Sequence, residues 1–337
     1  MILPCDAVPK TFVPLTEEFF KDIIVLELAS VLAGPSVGQF FAELGATVVK
    51  VENLTTGGDV TRTWKLANER TDDRSAYFTS VNWGKRAVAV NLQTLEGRHI
   101  VHQLVRKSDI VIASFKPGDD AKLGVDYATL AALNPRIVYG RITGYGPGSE
   151  RVGYDAVLQA EAGFMFMNGE PGGRSLKMPV ALIDVLAGHQ LKEAILLAML
   201  QREKTGEGAP VEVSLFQTAV SSLVNQAANY LVANIIPAKT GSTHPNIAPY
   251  GDTFLTADNK EIILAVGTDR QFRQLCVVLE MPEVADNQEF ATNQNRVANR
   301  RHLHQLLSGA IRRHPATGIL EALQQASGTR QARVRAI

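Results

Sequence analysis

The sequence predicts an α/β fold, a doubly wound parallel sheet followed by a smaller α+β domain. Two observations carry that expectation. The first third of the chain alternates short strand-like runs with helical patterns, an order that calls for right-handed βαβ crossovers. Beyond a Pro- and Gly-rich stretch at 236–249, a separate strand and several helices follow, and 337 residues suffice for two unequal domains.

The elements read in order. Ile23 to Leu28 is a buried strand; Val37, Phe40, Phe41 and Leu44 then recur at helical spacing behind Pro35, a favoured first-turn residue. Ala46 to Glu52 is the second strand. A third cycle gives strand Ala87 to Leu92, helix Leu95 to Lys107, strand Ile110 to Ser114, helix Tyr127 to Leu133 and strand Arg136 to Ile142. Thr143 to Pro179 is rich in Gly and poor in periodicity, and a long irregular stretch of this kind is usually functional. Met178 to Ile183 then reads as a strand that passes without a turn into a helix from Leu186 to Gln201. Lys204-Thr205-Gly206-Glu207-Gly208 stops that helix, Val211 to Leu215 is a strand and Ala219 to Val232 a helix. Pro237, Gly241, Pro245 and Pro249 mark a linker, and beyond it come strand Glu261 to Val266 and helices near Gln271 to Leu279, Arg296 to Ile311 and Leu320 to Gln325. The last stretch, Gly328 to Ile337, has little apolar periodicity and reads as a frayed tail.

Composition bounds the function. Lys plus Arg (34) balance Asp plus Glu (34), so nothing pulls the whole chain toward nucleic acid or an anionic membrane. Cys5 and Cys276 are far apart and lack CxxC spacing, which excludes a disulfide framework and points to a reducing cytoplasm. No signal peptide or membrane-length apolar run is visible, and a soluble protein is expected.

Asp184, between the apolar run and the long helix, is the first candidate for chemistry. Its place suits a helix N-cap, and the unpaired N–H groups and dipole of a helix start would keep its carboxylate ionised. Gly34-Pro35-Ser36-Val37-Gly38 matches the GxSxG hydrolase elbow, but only one strand precedes Ser36, so the tight βα turn explains the match. No GxGxxG occurs there, although Glu52 ends the second strand where dinucleotide folds place an acid. The His pairs 99/102 and 302/304 lack a third ligand at metal spacing. Lys85, Arg86, Lys116 and Lys122 flank loops and together could hold the phosphates of a nucleotide-like ligand.

Taken together, Val25-Leu26-Glu27-Leu28, Val31-Leu32-Ala33-Gly34-Pro35, Leu44-Gly45-Ala46, Val49-Lys50-Val51-Glu52 and Gly58-Asp59 resemble the opening of a family III CoA-transferase (CaiB/BaiF, formyl-CoA transferase-like). Asn82 to Arg86, Ser114 to Gly118, Asn134-Pro135-Arg136, Thr143-Gly144-Tyr145-Gly146, Gly153-Tyr154-Asp155 and Arg202 to Gly208 continue the likeness in family order, from about Phe20 to about Ala326. The resemblance implies a large Rossmann-like CoA-binding domain at 1–220, a helix and linker at 221–250 and a small domain at 251–327. Two chains would thread through each other as an interlocked homodimer. Residues 328–337 do not resemble the segment by which the family returns to its large domain, so a truncated CoA-binding remnant with little activity is one expectation.

The same resemblance gives Asp184 the role of nucleophile in an EC 2.8.3-type transfer of CoA from an acyl-CoA to a carboxylic acid, through an aspartyl anhydride and an aspartyl-CoA thioester. CoA would lie against Val31, Leu32 and Ala33, its adenine and phosphates near Val90, Asn91, Leu92, Gln93, Ser114, Phe115 and Lys122, and its thioester near Tyr145. An oxyanion hole could come from glycine loops such as Gly144 or Gly169. Acyl-CoA and the acceptor acid are substrates, and neither a tightly bound cofactor nor a metal is implied. The alternative of the same fold is an α-methylacyl-CoA racemase, whose Gly-His-Asp motif is here Gly153-Tyr154-Asp155; tyrosine, with a pKa near 10, is a poor base at neutral pH. Leu32 stands where the oxalate branch carries glutamine. Asn225 to Leu231 and Thr243 to Tyr250 resemble the branch moving CoA from succinyl-CoA to glutarate-like acids, with Arg62, Arg174 or Lys177 to meet a distal carboxylate.

Overall fold

The computed structural model describes residues 18–327 and 334–336, so Cys5 and, of the expected tail, 328–333 and Ile337 lie outside the described residues. Six strands, β1 (Ile24–Leu28), β2 (Thr47–Asn53), β3 (Arg86–Val90), β4 (Ile110–Ala113), β5 (Val138–Thr143) and β6 (Pro210–Ser214), form one parallel sheet in the order β3-β2-β1-β4-β5-β6. Alternation along the central strands sends neighbouring side chains to opposite faces. Val25, Ile110, Ile112 and Val138 meet Val37 and Phe41 of the first helix, Ala33–Glu43, and Leu191 and Ile195 of the long helix, Leu182–Thr205. Leu26, Val111 and Tyr139 meet Val101, Val105 and Leu130 on the other face. Burial on both faces is why β4 reads as an unbroken apolar run and β1 as one broken only by Glu27.

Residues up to Phe164 together with Lys177–Asn234 make up this compact unit. Met165–Leu176 together with Ile235 onward make up a second. The second unit has an antiparallel sheet in the order β7-β8-β9, from β7 (Tyr250–Leu255), β8 (Glu261–Ala265) and β9 (Val334–Ala336), packed through Phe254, Ile262 and Leu264 on Phe272, Leu275 and Leu307. Among the described residues no helix is long and apolar enough to cross a membrane.

The structure corrects several local expectations. Met178 to Ile183 is not a strand: among the described residues no strand pairs with it, Leu182 and Ile183 already belong to the long helix, and Gln159 Oε1 accepts the Met178 N–H at 2.8 Å. The single helix expected over Ala219 to Val232 is two, Leu215–Ser221 and Val224–Ala233, parted where Val224 takes a left-handed φ of 41°. Arg296 to Ile311 likewise divides into Asn293–Ala298 and Arg300–Ile311. Strand β7 begins directly after the expected linker, and part of the expected tail is β9, paired antiparallel with β8.

Candidate active site

The sheet order reverses direction between β1 and β4, and in open α/β sheets ligands bind in the crevice at the carboxyl ends of such a pair. Here the two turns are 29–32, leading into the first helix, and 114–118. In the first of them Val31 has φ 73°, an outlier for a β-branched residue, and its N–H donates to both carboxylate oxygens of Asp59 at 3.2 and 3.4 Å. Asp59 in turn lies 3.0 Å from Lys50 Nζ and accepts from Thr61 N–H and Oγ1. Lys50 also reaches Glu27 at 2.9 Å and the Ala29 carbonyl at 2.8 Å, while Lys85 reaches Glu27 at 2.7 Å and the Pro35 carbonyl at 2.8 Å. Two cations and two anions thus share a dry site beneath the turn. Burial draws the Lys85 ammonium down to about 8, whereas its anionic neighbours leave Lys50 above the ordinary lysine value despite burial. Lys85, expected as a phosphate-binding surface charge, is therefore a buried structural cation.

The same network explains the GxSxG match. A Cβ on Gly38 would lie 1.9 Å from a Glu27 carboxylate oxygen, and one on Gly34 would lie 2.4 Å from Ala29 Cβ. Close packing, not nucleophile chemistry, demands these glycines. Ser36 Oγ donates to the Ala33 carbonyl at 2.8 Å, and a Cβ on Gly188 of the long helix would lie 2.3 Å from that Oγ.

Asp184 stands one turn before Gly188, on the same helix face, which directs it toward the turn that precedes the first helix. It is the third residue of the helix and not its N-cap, which is Ala181. The capping bond comes from elsewhere: Asp155 Oδ1 accepts the Ile183 N–H at 2.8 Å, and its Oδ2 accepts from Gln159 Nε2 at 2.7 Å. No hydrogen bond among the described residues engages the Asp184 carboxylate. Burial, aided by the nearby charge of Asp155, pushes its pKa up to about 7, overriding the ionising effect expected of the helix start. Tyr77 belongs to this group too. Burial, Asp184, Asp155 and Asp59 raise its phenol above the ordinary value, so it stays protonated and can donate. Its ring meets Trp64 edge-on at 5.2 Å.

At the other side of the sheet edge, a cavity of about 370 Å³ is lined by Gln93, Arg98, Asp119, Lys122 and Leu123. Val90 closes β3, and the turn from Asn91 to Gln93 leads into the helix Leu95–Val105. Arg98 fixes that turn, its Nε donating to the Leu92 carbonyl at 3.0 Å and its Nη2 to the Gln93 carbonyl at 3.3 Å.

A family model described as CoA-transferase family III matches residues 20–336. The chain belongs to that family. A succinate–glutarate CoA-transferase from Agrobacterium fabrum is 41% identical over 305 residues, which are 88% of this chain and 76% of the relative. A human succinyl-CoA:glutarate CoA-transferase is 37% identical over 291 residues, covering 86% of this chain, and the match spans only 65% of the human protein. The crystal structure of a CaiB/BaiF family protein from Brucella suis superposes with a TM-score of 0.76 at 40% identity, covering 91% of this chain and 81% of that one.

Of the residues that family resemblance marked, the structure gathers Val31, Leu32 and Ala33 at the first turn, with Ser114 and Phe115 at the turn after β4. It brings Gln93 and Lys122 to one cavity. Tyr145 is half-buried after β5, its hydroxyl donating to Glu161 Oε2 at 2.8 Å and accepting from Arg151 at 3.0 Å. Gly144 packs against Gly153, where a Cβ would lie 2.4 Å from the Gly153 nitrogen, and its carbonyl accepts the Phe216 N–H. Gly169 and Arg174 belong to the second unit. Arg62 is held by Glu52 through two bonds of 2.8 and 2.6 Å, and Lys177 donates to the Met178 carbonyl. Tyr77, Asp155 and Arg98 escaped the sequence reading. Asp155 was visible in the Gly153-Tyr154-Asp155 triplet, whereas nothing in local pattern marks Tyr77 or Arg98.

Proposed function

We propose that this protein moves CoA from an acyl-CoA, succinyl-CoA or a similar donor, to a carboxylic acid, with Asp184 as the nucleophile. The observation that carries the reading is a half-buried carboxylate, free of hydrogen bonds, on the helix face packed over the first βα turn of the sheet's switch point. Once ionised, such a group is poised to attack, because no hydrogen-bond donor must be stripped from it first. The Asp184 carboxylate attacks the thioester carbonyl and the C–S bond breaks, giving a mixed anhydride and CoA thiolate. The thiolate attacks the aspartyl carbonyl, releasing the donor acid and leaving CoA on Asp184 as a thioester. An acceptor carboxylate attacks that thioester carbonyl to re-form an anhydride, and the thiolate then takes the acceptor acyl group and restores Asp184. Both bonds cleaved are activated, so thioester energy is conserved. Tyr77, whose phenol stays protonated beside the charges of Asp184 and Asp155, is the side chain we assign as donor to a developing oxyanion.

The adenine end of CoA occupies the turns after β3 and β4, with Val90, Asn91, Leu92, Gln93, Ser114, Phe115 and Lys122 around it. The similarity to succinyl-CoA:glutarate enzymes supports a dicarboxylate acceptor. Because Glu52 already engages Arg62 through Nε and Nη2, that residue is the weakest of the three candidates for a distal carboxylate. The helix Val224–Ala233 buries none of its residues and leaves Val224, Leu231 and Val232 70%, 78% and 88% exposed, which supports burial against a second copy of the chain.

Incubation with succinyl-CoA and glutarate, followed by borohydride or hydroxylamine trapping and mass mapping, tests the mechanism. The adduct is expected on Asp184 and absent in Asp184→Ala. Solvent deuterium entering the α-carbon of a 2-methylacyl-CoA without any acceptor would instead establish the racemase.

A further inference from the structure

The cavity of about 370 Å³ beside the β3 and β4 turns carries a charge arrangement that CoA binding alone does not call for. Its size lies at the low end of the ~300–1,000 Å³ typical of small-ligand pockets, room for one end of a nucleotide. Arg98 and Lys122 supply two positive charges. Arg98 is anchored to the Leu92 and Gln93 carbonyls through Nε and Nη2, so its position is fixed. Lys122 is free to swing, its side chain 76% exposed, and among the described residues its ammonium pairs with Asp119 alone, 3.2 Å away and three residues earlier. Asp119 lines the same cavity. His102 Nε2, 2.7 Å from the Gly124 carbonyl, ties the helix bearing Arg98 to the segment bearing Lys122, so the opposed charges are held across one opening.

A phosphate monoester brings a charge of roughly −1.5 to −2 at neutral pH. The charged lining residues sum to only +1, from two cations and one carboxylate. An entering phosphate must take Lys122 from Asp119 and then sit beside that carboxylate. We propose that Asp119 is a specificity-determining residue: it holds Lys122 while the site is empty and weakens the protein's hold on the 3′-phosphate of CoA. The result is a CoA site with little preference for the 3′-phosphorylated nucleotide and ready exchange of its ligand. The inference rests on the CoA reading above and sharpens it, because it concerns one phosphate and not the thioester.

Calorimetric titration of the full chain with 3′,5′-ADP and with 5′-ADP at low salt reads the preference directly. Asp119→Asn should strengthen 3′,5′-ADP binding about threefold to fivefold while leaving 5′-ADP unchanged, the size expected of an exposed charge pair. Lys122→Gln should move the ratio the opposite way, and 0.5 M salt should shrink both effects. An unchanged or lowered ratio in Asp119→Asn overturns the proposal. So does a wild-type ratio of one that no Lys122 substitution alters, in a protein that still binds acetyl-CoA; in that case the CoA reading survives. Failure to bind acetyl-CoA or either nucleotide would sink the CoA reading itself, and this inference with it.

Discussion

Asp155 caps the helix that carries Asp184 and, at the same time, raises the pKa of the residue it helps to place. Its Oδ1 takes the Ile183 N–H at 2.8 Å, while its charge adds to the burial that brings Asp184 to about 7. The two roles are separable. Asp155→Asn keeps an oxygen for Ile183 but loses the charge, and it turns an NH₂ toward Gln159 Nε2, which costs about 1 kcal/mol. The midpoint of the pH–kcat/KM curve should then fall below that of the parent. Asp155→Ala removes the cap as well and should lose about 1–2 kcal/mol in denaturant unfolding.

The proposed role of Asp184 ties the pH dependence of turnover to its ionisation. With Asp184 as the proposed nucleophile, only its carboxylate form would attack, so kcat/KM should rise with pH through about 7, and at pH 6 it should be about tenfold below the plateau. Stability runs the other way. The folded pKa lies above the unfolded value, so the native state binds the extra proton between about pH 4 and pH 7, and stability falls as pH rises across that window. Asp184→Asn should therefore melt higher than the parent at pH 8, by an amount on the order of 1–3 kcal/mol, and alike at pH 4. Melting curves at the two pH values check this, and a variant equally stable to its parent at pH 8 would contradict the burial of the charge.

The parallel sheet was legible because β1 and β4 are buried on both faces, which makes β4 a continuous apolar run and leaves β1 broken only by Glu27. Met178 to Ile183 misled for the same reason: it is apolar like a strand, but Gln159, from a helix earlier in the chain, satisfies its backbone in place of a neighbouring strand. Asp184 could be found from its position between an apolar run and a helix, yet its protonation could not. That depends on desolvation and on Asp155, twenty-nine residues away in sequence. Tyr77 shares the limitation, since its link to Asp184 passes through the packing of the fold and leaves no periodic trace. Lys85 shows the reverse error, where a charge next to a loop looks exposed until its partner, Glu27, is seen inside the sheet.

Gly188 controls how close the long helix comes to the first. Alanine there would put a Cβ 2.3 Å from Ser36 Oγ and 3.1 Å from the Ala33 carbonyl, so the helix must back away. Overpacking of this kind costs about 1–3 kcal/mol. Because Asp184 rides one turn earlier on the same face, Gly188→Ala should also lower kcat more than it raises KM. Adding Ser36→Ala removes the nearer clash and should recover part of the stability but less of the turnover, the carbonyl contact being unrelieved.

Val31 pays for the shape of the turn before the first helix with an unfavourable left-handed conformation of about 1–2 kcal/mol, held by the Asp59 carboxylate. Val31→Gly removes the strain but adds about 0.5–1 kcal/mol of unfolded-chain entropy, so its melting temperature should match or slightly exceed the parent's. The KM for acyl-CoA should rise, because the turn is no longer confined to one conformation before the ligand arrives. Asp59→Ala gives a contrasting result. It strips Val31 of its acceptor and leaves Lys50 and Lys85 sharing Glu27 as their one carboxylate, a net buried charge that should cost about 3–5 kcal/mol. Parallel denaturant titrations and acyl-CoA saturation curves for the two variants separate the strain from the charge: a large stability loss in Val31→Gly would mean that the valine side chain, and not the Asp59 network, shapes the turn.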